Sequence, residues 1–372
     1  MNLQLKTGRE KYPALTGIRA AGATAVFFVH FPMFPGSLIG VNVMAFFYVL
    51  SGFLITRIYY EQARWTQSWL SKYFVNRYAR IYPVYFLLLT IAVWLRHDYH
   101  PWLLFKNYTL IHGLFSRYHD FIIEPSWSLT VEECFYFLAP IFLWLIRKWN
   151  FTCSLAAGAL LLLAALGIST LHTSFLGTPL FIFSTTFFGH FLEFFAGIYL
   201  ALLIMKIEKS GASGKKGMRY TVLGFAGIAL LVAAMLYVYM NPPLKHYRIV
   251  LINNLLIPVP IAVFYFGLMR ESTLTSRLLS GKLAGWLGRA SYSFYLLHML
   301  VIDYISRPFL AAHPTVSLPL CVLATYILTY LISVLLFFLY EEPLNQLIRK
   351  KFKSNSRKTG MTQTLFNPAT SE

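Results

Sequence analysis

Residues 12–31, YPALTGIRAAGATAVFFVHF, read as one apolar helix long enough to cross a bilayer, with two ionisable residues set into it, Arg19 and His30. They are eleven residues apart, which on a helix is about 16 Å of rise and about 20° of turn. Both side chains therefore face the same way, one toward each side of the membrane. An ionisable group inside a span is expensive, so two on one stripe point to a pathway or pocket running across the bilayer.

The rest of the chain supports a membrane setting. Its 372 residues are 57% hydrophobic and only 12% charged, where soluble domains run near about 25% charged. Mean hydropathy is +0.58. The pattern predicts an all-α polytopic membrane protein with about ten transmembrane helices, near 13–32, 41–60, 80–96, 128–147, 151–171, 181–205, 220–240, 248–269, 285–306 and 316–340. Pro-rich and polar clusters such as FPMFPG, LGTP and NPPLKHY separate them. Lys6, Arg9 and Lys11 before the first helix suit a signal peptide, but its length, Arg19 and the FPMFPG that follows favour a retained span.

The net charge of +18 would suggest nucleic acid in a soluble protein; here it follows a membrane rule. With the N-terminus in the cytoplasm, twenty-five of the 32 Lys and Arg fall on cytoplasmic segments and six on outer ones, with Arg19 inside a span. Both termini are thus expected in the cytoplasm, Arg19 near the inner face and His30 near the outer. Cys134, Cys153 and Cys321 all lie in apolar segments, so neither a disulfide framework nor a metal site is expected. Residues 1–345 read as the transmembrane domain and 346–372 as a basic, disordered tail. The stretch 97–127 is the longest outer connection, with a candidate interfacial helix in PWLLFKNYTLIHGLF.

Four further stretches carry polar groups. In VNVMAFFYVLSGFLITRIYY (41–60), Ser51 and Gly52 open the helix wall, either for close helix packing or for a ligand chain. In NRYARIYPVYF (76–86), Arg77 and Arg80 share a face at the cytoplasmic boundary and suit phosphate oxygens or lipid headgroups. In PSWSLTVEECFYFLAP (125–140), Ser126 or Ser128 can cap the helix, Trp127 sits at the outer interface, and Glu132 and Glu133 point to different faces. A carboxylate entering the bundle would orient His30. In GRASYSFYLLHMLVID (288–303), Tyr292, Tyr295 and His298 form a stripe; the plain reading of His298 is a satisfied interhelical hydrogen bond. YEEPL (340–344) ends the last span with acids whose expected partners are the basic loops.

Taken in order, Arg19-x10-His30, FYVLSGFLIT, RYARIYPVY, SWSLTVEECFYF, SYSFYLLH and YEEP resemble the membrane acyltransferases of the acyltransferase-3 type. These proteins place acetyl or other acyl groups on glycans, lipids and antibiotics. The match runs from 13 to 343 and departs at Glu342, where the family more often has a basic residue. The resemblance implies functional roles for Arg19, His30, Arg77 and Arg80, and for Trp127 and Glu132. Joined to the residues' own chemistry, it implies an acyl-CoA donor, acetyl-CoA first, and no permanent cofactor. The donor phosphates would lie on Arg77 and Arg80, with the arm passing Arg19 beside Ser51 and Gly52. His30 would act as general base supported by Glu132, or carry the acyl group itself. Trp127, Tyr295 and His298 would face the acceptor, a glycan or lipid-linked sugar. The implied location is the bacterial inner membrane, and no hydrolase-like domain is expected after the last span. A polysaccharide or lipid transporter or flippase is the alternative class, since it too places charges on a transmembrane stripe. The lack of an internal repeat and of paired broken helices weighs against it.

Overall fold

The structure is a computed structural model that describes residues 11–31, 36–63, 65–116, 121–171, 174–211, 217–241 and 245–352. The helices in chain order are α1 (Pro13–Val29), α2 (Gly36–Tyr59), α3 (Gln67–Arg96), the short α4 (Pro101–Tyr108), α5 (Trp127–Lys148), α6 (Phe151–Ser169), α7 (Pro179–Thr185), α8 (Phe187–Lys209), α9 (Arg219–Met240), α10 (Lys245–Leu251), α11 (Pro258–Arg270), α12 (Leu274–Leu279), α13 (Lys282–Val301), α14 (Arg307–Ala312) and α15 (Leu318–Leu336). Among the described residues there is no β-strand. Seven helical stretches are long and apolar enough to cross a membrane, and α1 and the Val43–Tyr59 part of α2 are shorter apolar helices. The last stretch runs on past α15 to Phe352, so the expected tail lies, from residue 353, outside the described residues.

Local chemistry moves some boundaries. α3 begins at Gln67 because Thr66 caps it, its Oγ1 accepting from the Trp69 N–H at 3.3 Å. Pro83 therefore lies inside a helix instead of opening one, and Arg77 and Arg80 sit well within α3. Hydropathy alone places the start at the first continuous apolar run and misses the polar turns before it. Neither expected serine caps α5. Ser126 Oγ donates to the Ile123 carbonyl at 2.5 Å, and Ser128 Oγ to the Pro125 carbonyl at 3.0 Å.

The closest helix contacts are α2 on α8 and α1 on α13. Glycines make the first possible. A Cβ on Gly52 would strike the Phe194 carbonyl, and one on Gly197 the Val49 carbonyl, so the two backbones touch. The break between α7 and α8 is held by a buried polar cluster. His190 Nδ1 faces both Glu193 carboxylate oxygens at 3.1 Å, and Asn253 Nδ2 donates to Glu193 at 3.3 Å. Asn254 Nδ2 donates to the carbonyls of Phe183 and Gly189, at 2.5 and 3.1 Å. The two asparagines come from a π turn, Ile252–Leu256, which aims consecutive residues into the core.

Candidate functional site

A narrow cavity of about 90 Å³ lies among α1, α2, α3, α5 and α13. Arg19, Ser51, Arg77, Arg80, Glu132 and Tyr295 all line it, together with Tyr48, Ser128, Tyr136 and Tyr292. Eight residues singled out in the sequence, Ser128 and Tyr292 among them, are thus brought together from five helices.

One end is cationic. The Arg77 guanidinium lies over the rings of Tyr59 and Tyr136, at 5.6 and 5.4 Å. Arg80 is ion-paired with Glu341 and lies 5.5 Å from the Tyr292 ring. Ser293 Oγ donates to the same carboxylate at 2.6 Å. The first acid of YEEP therefore pairs with a cavity arginine, not with the basic loops; the π turn Phe337–Glu341 swings it inward. Arg19 makes no hydrogen bond or ion pair among the described residues, and its charged neighbours are Arg80, Glu132 and Glu341.

Glu132 does not reach His30. Its Oε1 accepts from Ser51 at 2.8 Å and its Oε2 from Tyr136 at 3.1 Å, both within the cavity. It stands more than a turn inside α5, while His30 closes the C-terminal end of α1. The carboxylate in electrostatic reach of His30 is Asp303, which is ion-paired with Arg307. Glu133 stays half-buried on the neighbouring face, its Oε1 without a hydrogen-bond partner among the described residues. Gly52 faces α8 and is filled by backbone, so only Ser51 of that pair borders the cavity.

Tyr295 closes the opposite end. Its hydroxyl donates to the Pro125 carbonyl at 2.7 Å and meets Ser128 Oγ at 2.6 Å. Beyond it lie two histidines. The rings of His30 and His298 have centroids 5.2 Å apart, and Tyr295 is 5.7 Å from His298. His298 is 0% exposed and neither ring nitrogen has a hydrogen-bond partner among the described residues, so it is not, within these, the satisfied interhelical histidine of the plain reading. His30, His298 and Trp127 lie outside the cavity lining; Trp127 faces His190 at 6.4 Å. A second cavity, of about 430 Å³, is lined by Arg96, Phe121, Glu124, Met299, Asp303 and Tyr304, among others. It takes in the end of the 97–127 connection and the turns of α13 just past His298.

Sequence reading missed Tyr48, Asp303 and the His190–Glu193 pair. A signal for the last was present, since His190 and Glu193 stand three apart in the apolar run FFGHFLEFF.

Residues 12–338 match the family described as Acyltransferase domain. The chain belongs to that family. It is 25% identical over 378 residues to the peptidoglycan O-acetyltransferase OatA of Listeria monocytogenes serovar 1/2a, covering 93% of this chain and 58% of that protein. It is 24% identical over 376 residues to the O-acetyltransferase OatA of Staphylococcus aureus strain NCTC 8325, covering 94% and 59%. The chain thus spans less than two thirds of the length of either relative. No solved structure gives a significant match. The family's match takes in every cavity-lining helix, from α1 to α13.

Proposed function

We propose that the chain is a membrane O-acyltransferase that moves acetyl from acetyl-CoA to a hydroxyl of a cell-surface glycan. The names of the two relatives support the reaction class, and the Listeria name suggests peptidoglycan as one acceptor to test. The observation that carries the reading is a match of lengths. Arg19 and His30 are separated by about 16 Å along α1. The arm of an acyl-CoA, from phosphate ester oxygen to sulfur, is about thirteen chain atoms, which extend to about 15 Å. Phosphates held by Arg19, Arg77 and Arg80 at the inner end put the thioester at the histidines.

His30 then acts as general base. Its imidazole takes the proton of the acceptor hydroxyl while the oxygen attacks the thioester carbon and the C–O bond forms. Collapse of the tetrahedral intermediate breaks the C–S bond, and the imidazolium returns the proton to the leaving thiolate. The Asp303–Arg307 ion pair lies beside this end of the site. Glu132, bonded to Ser51 and Tyr136, balances Arg19 within the donor cavity. His298 packs on His30 and fixes its ring. The second cavity, with carboxylates and the Tyr304 ring, takes the sugar.

In this reading residues 1–345 form the catalytic unit, about ten helices cross a bacterial plasma membrane, and both termini and the tail 346–372 are cytoplasmic. Mass analysis of surface glycans from cells with and without the protein tests the function. The reading predicts one acetyl lost per repeat when the protein is absent; an unchanged acetyl content contradicts it.

A further inference from the structure

Tyr48 projects from α2 into the wall of the donor cavity. It is 1% exposed, yet its hydroxyl has no hydrogen-bond partner among the described residues. A buried polar group left without a partner is costly, and in a native interior it calls for a reason. The polar groups nearby are already engaged: Tyr295 with Pro125 and Ser128, and Ser51 and Tyr136 with Glu132. The phenol is also held in place from behind. Its ring stacks on Phe194 at 4.9 Å and lies against His190 at 5.2 Å. His190 is itself fixed by Glu193 through Nδ1 and by the Ser184 carbonyl through Nε2, each at 3.1 Å.

The height of Tyr48 identifies its partner. Leu54 and Ile55 border the cavity, and Ile55 stands one turn before Tyr59, whose ring lies 5.6 Å from the Arg77 guanidinium. Ile55 is seven residues from Tyr48, or about 10 Å along α2. An extended amide-bearing chain covers that rise in about nine chain atoms. Along the pantetheine arm, counted from the phosphate ester oxygen, the ninth atom is the carbonyl carbon of the second amide. The sulfur lies four atoms further, on the histidine side of Tyr295.

We infer that the Tyr48 hydroxyl donates a hydrogen bond to the second amide carbonyl of the donor's pantetheine arm. This rests on the reading of the cavity as an acyl-CoA site. Tyr48 is then a donor-specificity residue: it selects an amide-bearing arm and sets how far the thioester reaches.

The test is equilibrium binding of CoA and acetyl-CoA to the purified full-length protein and to Tyr48→Phe, which keeps the ring and its packing. Both ligands should bind the variant about fivefold more weakly, the weight of one ordinary hydrogen bond. An acetyl-CoA analogue with a neutral CH2–CH2 unit in place of the second amide should lose the same affinity for the wild-type protein and nothing further for Tyr48→Phe. Unchanged binding by Tyr48→Phe, a loss confined to acetyl-CoA, or an equal analogue penalty in both proteins overturns the inference and leaves the donor reading standing. Failure of the wild-type protein to bind either CoA or acetyl-CoA overturns the donor reading itself.

Discussion

Arg80 on α3 and Glu341 at the end of α15 form an ion pair whose carboxylate is 1% exposed, joining two helices that are far apart in the chain. Removing one partner of a buried pair leaves the other charge uncompensated, at a cost of about 3–5 kcal/mol. Glu341→Gln should therefore lower the melting temperature of the detergent-purified protein sharply. The apolar double change Arg80→Met with Glu341→Leu should recover much of that loss. Thermal melts of the three proteins check this, and a Glu341→Gln melt equal to wild type speaks against a structural pair.

The same pair changes which arginine is expected to grip the donor most firmly. Arg80 already answers Glu341 and Arg77 is spread over two tyrosine rings, while Arg19 has no such bond. A charge-assisted hydrogen bond is worth about 1.5–3 kcal/mol. Arg19→Ala should weaken acetyl-CoA binding by roughly 10–100-fold. A dissociation constant within about twofold of wild type would remove Arg19 from the donor site.

Gly52 belongs to the α2–α8 contact. Gly52→Ala drives a methyl group into the Phe194 carbonyl, an overpacking cost of about 1–3 kcal/mol. Yield and melting temperature should fall, while the KM for acetyl-CoA of the folded fraction stays near wild type. A selective rise in KM with normal stability would instead return Gly52 to the ligand path.

Glu271, just past α11 and outside the spans, holds the first turn of α9. It accepts from the backbone N–H groups of Tyr220 and Thr221, each at 2.8 Å, and from Thr221 Oγ1 at 2.7 Å. Burial pushes its carboxyl up, but these three donors outweigh burial and hold it below the usual carboxylate range. A depressed carboxylate contributes stability above its unfolded-state pKa and loses it as pH falls through the folded value. Glu271→Gln should thus be less stable than wild type at neutral pH, and the gap should close toward acid pH. Melts across pH 3–7 measure it; a gap independent of pH contradicts the assignment.

The fold class was legible because long apolar runs follow from the bilayer itself. The cavity was legible in part for the same reason: Arg19, Ser51, Arg77, Arg80, Glu132 and Tyr295 are costly or unusual inside spans, and cost is visible in sequence. Pairing was not. Glu132 faces Ser51 and Tyr136, and Glu341 faces Arg80, because of helix depth and a π turn, neither of which periodicity reveals. Gly52 carried two meanings, and the neighbouring backbone of α8 decided between them. Tyr48 looks like one more aromatic in VNVMAFFYVLSGFLITRIYY, and its orphan hydroxyl exists only in three dimensions.

The central claim is that His30 performs the transfer. It is tested most directly by radiolabelled acetyl transfer from acetyl-CoA to glycan fragments, with wild-type and His30→Ala proteins reconstituted in vesicles and donor binding measured alongside. A positioned general base contributes about 10²–10⁴-fold. The account predicts that His30→Ala loses at least about a hundredfold in transfer while still binding acetyl-CoA. Transfer by His30→Ala at the wild-type rate would contradict it.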